Sequence, residues 1–203
     1  ILPCKSTSDK FKNKRVVLMK KITLILSLVV LMIGMVFPAL ADEGTASISI
    51  EGGQLSVLPE PVIFEDVTLN GLDQTTNGES ADKWVAIDPT GTGGGWHVTI
   101  STTDFVNITP GFEGKTIDLS QGTGLRMAIP QDNIAAVYGN AVPSTLIEDF
   151  TSVTSEARTI LSAAENEGMG EYEFEPLFDL FVPAETYKGT YEATFTVTIT
   201  AGP

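Results

Sequence analysis

The chain contains few residues that could perform acid–base, nucleophilic or zinc chemistry. It has one histidine, His97, and one cysteine, Cys4. A single histidine cannot build a histidine-based zinc site. A serine triad would need His97 as its base, but the sequence has no GxSxG elbow, and His97 falls on the polar side of a Thr-rich strand pattern. We therefore predict no catalytic residue and no enzymatic activity.

Two glycine-rich stretches are similar to nucleotide-binding loops without matching them. In residues 110–116, the P-loop pattern GxxxxGK[ST] would need glycine at the position of Thr109. Residues 91–96 lack the third glycine of a dinucleotide fingerprint and lead into a strand-like pattern rather than a helix. We interpret both stretches as loops between β-strands.

Acidic side chains are numerous enough to suggest metal or carboxylate chemistry. The densest cluster comprises Glu165, Glu167, Glu171, Glu173 and Glu175. Clustered carboxylates can bind calcium, but these lack the DxDxDG spacing, and the alternation over residues 171–175 equally fits a surface strand with outward acids. The large number of acids also means that a pair of carboxylates like that of a glycosidase is not excluded by counting. We predict no cofactor, and leave open a structural calcium ion whose ligands the sequence does not specify.

Charge is distributed unevenly along the chain. The first 41 residues hold seven of the 12 basic residues and one of the 26 acids, which leaves five bases and 25 acids, a net charge of −20, for residues 42–203. The five bases are scattered. Because nucleic-acid binding depends on neutralising phosphates with lysine and arginine, we predict no nucleic-acid partner.

Residues 19–41 have the three parts of a secretory signal peptide: two lysines, an apolar run and a small-x-small site that ends at Ala41. The apolar run, residues 22–37, is shorter than the ~20 residues that span a membrane. We predict cleavage between Ala41 and Asp42, and secretion of the rest. An uncleaved membrane anchor is the alternative.

Residues 1–18 precede this natural-looking start and hold the only cysteine. We predict that they are extraneous or mis-assigned sequence, so that the mature protein has no cysteine. Asp42 stands where a lipid-anchored protein has cysteine, and residues 199–203 show no hydrophobic tail or basic end. We expect any attachment to a surface to be non-covalent.

Alternation of polar and apolar residues predicts β-strands along residues 42–203. In residues 191–200 the apolar side chains share one face and the polar side chains, mostly threonines, share the other. Residues 96–101 alternate in the same way. Further strand candidates are residues 46–50, 54–58, 67–69, 83–87, 124–129 and 171–182.

Turn-forming residues separate these runs, for example at Asn70, Asn77, Gly139 and Lys188, each beside a turn-forming neighbour. Many short strands at this spacing predict an all-β fold, an antiparallel β-sandwich formed by one domain over residues 42–203. Residues 152–166 fit either a helix or a strand, so the sandwich has at most one short helix.

Residues 84–100 contain an Asp, a glycine-rich loop, Gly-Trp and an alternating strand, and residues 181–203 lead into a C-terminal alternating strand. These two segments are similar to the WxL domain, which is named for two Trp-x-Leu motifs. Residues 160–164 and 168–170 are similar to the region ahead of the last strands of that family. The motifs are variant: Val98 replaces the first leucine, and Val197 and Ile199 replace the second tryptophan and leucine.

The resemblance implies a protein of the Gram-positive cell surface that binds cell-wall peptidoglycan or another envelope glycopolymer. It further implies partners among other WxL-type or membrane-anchored surface proteins. The ligand-binding candidates that it suggests are Asp88, Gly95 and Trp96.

The residues themselves allow a second interpretation of the motif positions. Val98, Val197 and Ile199 fall on the apolar face of strands and are expected in the core, whereas Trp96 could pack in the core or stack on a sugar. From a different functional class, the alternative is a structural subunit of a surface fibre or layer, acting by self-association or protein–protein binding.

Overall fold

The computed structural model describes residues 45–202. The predicted N-terminal extension, signal peptide and cleavage site between Ala41 and Asp42 lie outside the described residues. Ser49–Pro203 forms one compact unit. No helix in the described range is long and apolar enough to cross a membrane.

Sixteen β-strands form the described part of the chain, numbered here in chain order. The first eight are β1 (Ser56–Leu58), β2 (Val62–Phe64), β3 (Gln74–Ser80), β4 (Trp84–Asp88), β5 (Trp96–Thr102), β6 (Phe105–Asn107), β7 (Thr116–Ile117) and β8 (Leu125–Ala128). The others are β9 (Ile134–Gly139), β10 (Ser144–Thr145), β11 (Thr151–Val153), β12 (Arg158–Ala163), β13 (Gly170–Phe174), β14 (Leu177–Val182), β15 (Tyr191–Glu192) and β16 (Phe195–Ala201).

The strands form four sheets in which every pairing is antiparallel. Their strand orders are β1-β4-β13-β9, β10-β12-β5-β16, β11-β8-β14-β3-β2 and β15-β6-β7. The sheets pack in a sandwich-like manner around one hydrophobic core. Residues 45–202 contain no α-helix, and their only helical turn is the 3₁₀ turn Gln131–Asn133. The predicted all-β fold is therefore confirmed.

Aromatic side chains dominate the centre of the core. Trp84 and Phe174 meet edge to face with ring centroids 5.9 Å apart, and Phe178 lies 6.1 Å from Trp84 on another side. All three are buried. Burying a side chain of this size contributes about 1.5–3 kcal/mol, so each of these rings stabilises the fold.

The ambiguous segment, residues 152–166, is β-structure, and its interpretation as a helix is wrong. It contributes β11 and β12, and β12 pairs with β5 from Arg158↔Ile100 to Ala163↔Trp96. Ile160 and Leu161 are both fully buried, although they are adjacent. A register shift between Thr159 and Leu161 explains this, because a bulge turns neighbouring side chains to the same side.

Other strand boundaries also differ from prediction. Residues 46–50 and 67–69 belong to no strand. The run 171–182 is divided into β13 and β14 around Pro176, which has no N–H to donate to a sheet.

β3 was missed because its buried positions are not apolar. Thr76 is buried, and Gly78 lies directly under the ring of Phe64, where an added Cβ would be 2.7 Å from the ring carbon Cε1. The expected turn at Asn77 and Gly78 is therefore the middle of a strand, and glycine is needed there for close packing rather than for a turn.

Candidate functional site

The Asp88 side chain, one of the three predicted ligand contacts, is occupied by its own loop. It is buried, and its Oδ1 accepts hydrogen bonds from the Thr90 N–H at 2.9 Å and the Thr90 hydroxyl at 2.6 Å. This is a side chain that closes a turn. The bonds stabilise the start of the glycine-rich loop, residues 91–95, that leads into β5.

Gly95 and Trp96 connect this loop to the core. Gly95 has φ +67°, and a Cβ there would lie 2.4 Å from the Ala163 carbonyl oxygen. Trp96 is fully buried, its Nε1 donates to the Gly168 carbonyl at 2.8 Å, and its ring lies 6.2 Å from that of Tyr172. No face of the indole is open to a sugar, so only the loop ahead of it can contact a ligand.

The four motif positions lie on two neighbouring strands. β5 and β16 pair so that Val98 faces Ile199 and Ile100 faces Val197, with Trp96 beside Ala201. Val98 is fully buried. Val197 and Ile199 are half-buried and pack against the core, because β16 is the last strand of its sheet.

His97 contacts the backbone, and the acidic cluster contacts a lysine. The Nδ1 atom of His97 lies 2.8 Å from the carbonyl oxygen of Gly202. Glu173 bonds Lys83 at 3.0 Å. Within residues 45–202, no group of three or more His, Cys, Asp or Glu side chains converges on a position that could hold a metal ion.

A cluster of different chemistry lies beyond the other end of β5, past Thr102. We call it the aromatic–lysine cluster: Phe112, Lys115, Tyr187 and Lys188. The two rings are 6.1 Å apart at an angle of 47°. The Lys115 ammonium lies 4.6 Å from the centre of the Tyr187 ring, and the Lys188 ammonium lies 5.6 Å from that of Phe112. Each lysine thus makes a cation–π contact with the ring from the other loop.

Hydrogen bonds around the buried side chain of Asn107 hold the two loops of the cluster together. Asn107 is 1% exposed; its Nδ2 donates to the Lys188 carbonyl at 3.1 Å, and its Oδ1 accepts from the Thr109 N–H at 2.9 Å. The Thr109 hydroxyl in turn accepts from the Thr190 N–H at 2.8 Å. Since a satisfied buried amide fixes the backbone on both sides, the exposed side chains stand on a rigid base.

The lysines of this cluster are cations without an acidic partner. Two of the five bases after residue 41 are here. Elsewhere Lys83 pairs with Glu173 and Arg126 with Asp179, and these hydrogen bonds raise the pKa of both bases. No carboxylate in the described range lies within 4.0 Å of either lysine of the cluster.

A long open groove of about 910 Å³ adjoins the cluster. Its lining is mixed polar and apolar and includes Phe64 and Phe105, whose rings meet edge to face at 5.6 Å, and Phe195. Acids and the cluster residues Tyr187 and Lys188 line its sides. The volume lies within the range of ligand-binding clefts, roughly 300–1,000 Å³.

Sequence reasoning missed the aromatic–lysine cluster because its halves are distant in the chain. Phe112 and Lys115 lie in the segment that fails the P-loop pattern, and Tyr187 and Lys188 precede a glycine in a predicted turn. The available signal was compositional: two aromatic–lysine pairs in loops of a chain otherwise poor in bases. Only the pairing of β6 with β15 and β7 brings them together.

Comparisons with family models, with curated proteins and with solved structures found no match to this chain. The similarity to the WxL family therefore stays a prediction from the quoted motifs.

Proposed function

We propose that the mature chain is a secreted binding module of a Gram-positive cell surface, held there non-covalently, that binds peptidoglycan or another envelope glycopolymer and catalyses no reaction. The observation that carries the proposal is the aromatic–lysine cluster. It is exposed, rigidly based and composed of the two side-chain types that suit an anionic sugar polymer. Other WxL-type or membrane-anchored surface proteins are the protein partners we propose for it.

The cluster offers two kinds of contact to such a polymer. Tyr187 is 49% exposed and presents an amphipathic ring, a surface that suits the apolar face of a sugar. Lys115 and Lys188 offer ammonium groups to a carboxylate or phosphate on the same polymer. A repeating glycan with one anionic group near each sugar ring could satisfy both at once.

The acidity of the domain limits where such a polymer can bind. A net charge of −20 over residues 42–203 repels polyanions at long range. At physiological ionic strength the Debye length is about 8 Å, so contacts at the cluster outweigh charges farther away. Divalent cations that bridge carboxylates and polymer would reduce the repulsion further.

The test is sedimentation of the secreted chain with washed Gram-positive cell walls, with and without calcium. We expect saturable sedimentation of the wild type. The double variant Lys115→Ala/Lys188→Ala should lose most of it, whereas Arg158→Ala, which removes another exposed base, should not. Equal loss in both variants would show that net charge, rather than the cluster, determines binding, and no sedimentation of the wild type would reject the proposal.

A second function, a structural subunit of a surface fibre or layer, is favoured by different observations. β9 ends its sheet, carries no charge over Ile134–Gly139 and exposes 75% of Tyr138. Residues 45–50 are equally uncharged and belong to no strand. Unpaired, uncharged strands are templates for association. Mass that rises with concentration in light scattering would support this function, and a constant monomer mass would reject it.

A further inference from the structure

We infer that residues 45–50 of one copy add as a β-strand to the free edge of β2 in a second copy, with Ile48 and Ile50 inserted into the groove beside that edge. This inference rests on the second of the functions proposed above, self-association. It names the donor segment, the acceptor edge and the partner, which is another molecule of the same chain.

The donor segment has the pattern of a strand without the pairing of one. Residues 45–50 read TASISI, so that Ala46, Ile48 and Ile50 share one side and the hydroxyl side chains share the other. The segment lies outside every strand, and Ile48 and Ile50 are each 84% exposed. Burial of both isoleucines, which lie on one side of the extended segment, would remove apolar surface from water and so favour binding.

The acceptor edge has unpaired backbone groups that point outward. β2 is the last strand of its five-stranded sheet. The carbonyl of Pro61 and the N–H of Glu65 bond to the chain of β3 at 2.8 and 2.9 Å. Hydrogen-bonded residues alternate along an antiparallel ladder. The backbone N–H and C=O of Ile63 therefore also point to β3, and those of Val62 and Phe64 point to the free side.

The groove provides apolar surface beside that edge. Val62 and Phe64 are half-buried and pack against the core, and Phe105 and Phe195 also line the groove. Alternate side chains of an added strand are about 7 Å apart, so Ile48 and Ile50 would enter the groove together. This is the division of roles in strand addition: backbone bonds hold the segment, and pockets select its alternate side chains.

Charge around the groove selects an uncharged donor. Glu65, Asp66 and Glu192 line it, and would repel an acidic segment. Residues 45–50 form an uncharged run between Glu43 and Glu51. In a domain of charge −20, this run is suited to approach an acidic edge without direct repulsion.

The contact is heterologous, because donor and acceptor are different parts of the chain. Each copy that accepts a segment still presents its own, so association propagates head to tail into rings or open filaments. The expected assembly is therefore a series of oligomers that grows with concentration, rather than a single dimer.

The first experiment is sedimentation velocity of the secreted chain from Asp42 across a wide concentration range. Ile48→Asp/Ile50→Asp should raise the dissociation constant at least about 100-fold, since it removes both inserted side chains. Ser47→Asp/Ser49→Asp adds the same two charges on the opposite side of the segment and keeps both isoleucines. It meets the same acidic lining, so it should raise the dissociation constant too, but at least about tenfold less than the isoleucine pair does. Circular dichroism should show an unchanged fold in both.

The second experiment separates donor from acceptor. A chain without residues 45–50 can only accept a donor segment. Val62→Pro removes an outward N–H of β2, at the first position of the strand, where proline is tolerated. This variant can only donate its segment. Neither should assemble alone, and the mixture should stop at 1:1 dimers. The matched control Val62→Ala, which keeps the N–H, should still assemble.

Assembly of the wild type that is unaffected by the isoleucine pair and by Val62→Pro would overturn this inference and leave self-association standing. A wild type that remains monomeric at all concentrations would overturn both. A monomer whose melting temperature falls in the isoleucine variant would show that the segment fills its own groove, which also overturns the inference.

Discussion

The two ends of β5 differ in how their conspicuous side chains are used. At the Trp96 end, the indole is buried, its N–H bonds the backbone and Gly95 has no room for a side chain. At the Thr102 end, Tyr187 and two lysines are exposed above a buried amide that fixes their loops. Side chains at the first end stabilise the core, whereas side chains at the second end are exposed and can contact a ligand.

This difference separates stability from binding. Buried positions at the first end should govern the free energy of unfolding, and exposed positions at the second end should govern affinity for a ligand. Variants at each end can therefore be compared directly, and a variant that changes the wrong property would break the comparison.

The largest expected effect is on stability at the first end. Trp96→Ala removes a fully buried indole and leaves the Gly168 carbonyl without its donor. We expect the free energy of unfolding to fall by about 3–5 kcal/mol, measured by urea denaturation. Loss of wall binding by this variant with unchanged stability would contradict the structural role of Trp96.

A smaller effect distinguishes two glycines that share a backbone conformation. Gly95 and Gly111 have φ values of +67° and +87°. A Cβ added at Gly95 would clash with the Ala163 carbonyl, whereas a Cβ added at Gly111 would meet no atom within 4 Å. Gly111→Ala should cost about 1–2 kcal/mol for the left-handed conformation alone. Gly95→Ala should cost clearly more in the same denaturation experiment, and equal costs would show that the Trp96 end is not tightly packed.

The smallest expected effect is on how stability depends on pH, through Tyr172 at the first end. Burial raises the pKa of Tyr172 above its ordinary value of 10.0, and its hydroxyl donates to the Asn140 side chain or the Met169 carbonyl, each 3.0 Å away. Its contribution to stability is fully present below pH 10 and is lost as pH rises toward its raised folded-state pKa, because the unfolded tyrosine ionises first. Tyr172→Phe should show a shallower fall in stability above pH 10; identical slopes would contradict the assignment.

Sequence reasoning could predict the strands whose buried faces are apolar. Residues 96–101 and 191–200 alternate strictly, and the structure places β5 and most of β16 there. It failed where burial depends on neighbours: β3 buries Thr76 and Gly78, and residues 46–50 alternate but have no strand to pair with. The local residue pattern shows which side chains share a face, whereas strand pairing depends on the whole fold.

The candidate site was predictable only in part. The conspicuous Gly-Trp motif led to Asp88, Gly95 and Trp96, whose side chains or Cβ space the structure fills with internal contacts. Phe112 and Tyr187 are 75 positions apart in the chain, and neither belongs to a motif. Their proximity depends on tertiary pairing, which residue spacing does not encode.

The central claim, that ligand binding belongs to the exposed end of β5, is tested most directly by one binding isotherm. The wild-type chain from Asp42, Tyr187→Ala and Tyr138→Ala, which removes an exposed tyrosine of β9, are titrated with washed cell walls. We predict that Tyr187→Ala weakens binding about tenfold, equivalent to ~1.4 kcal/mol, with unchanged stability, and that Tyr138→Ala binds like the wild type. Equal binding by all three proteins would contradict the claim.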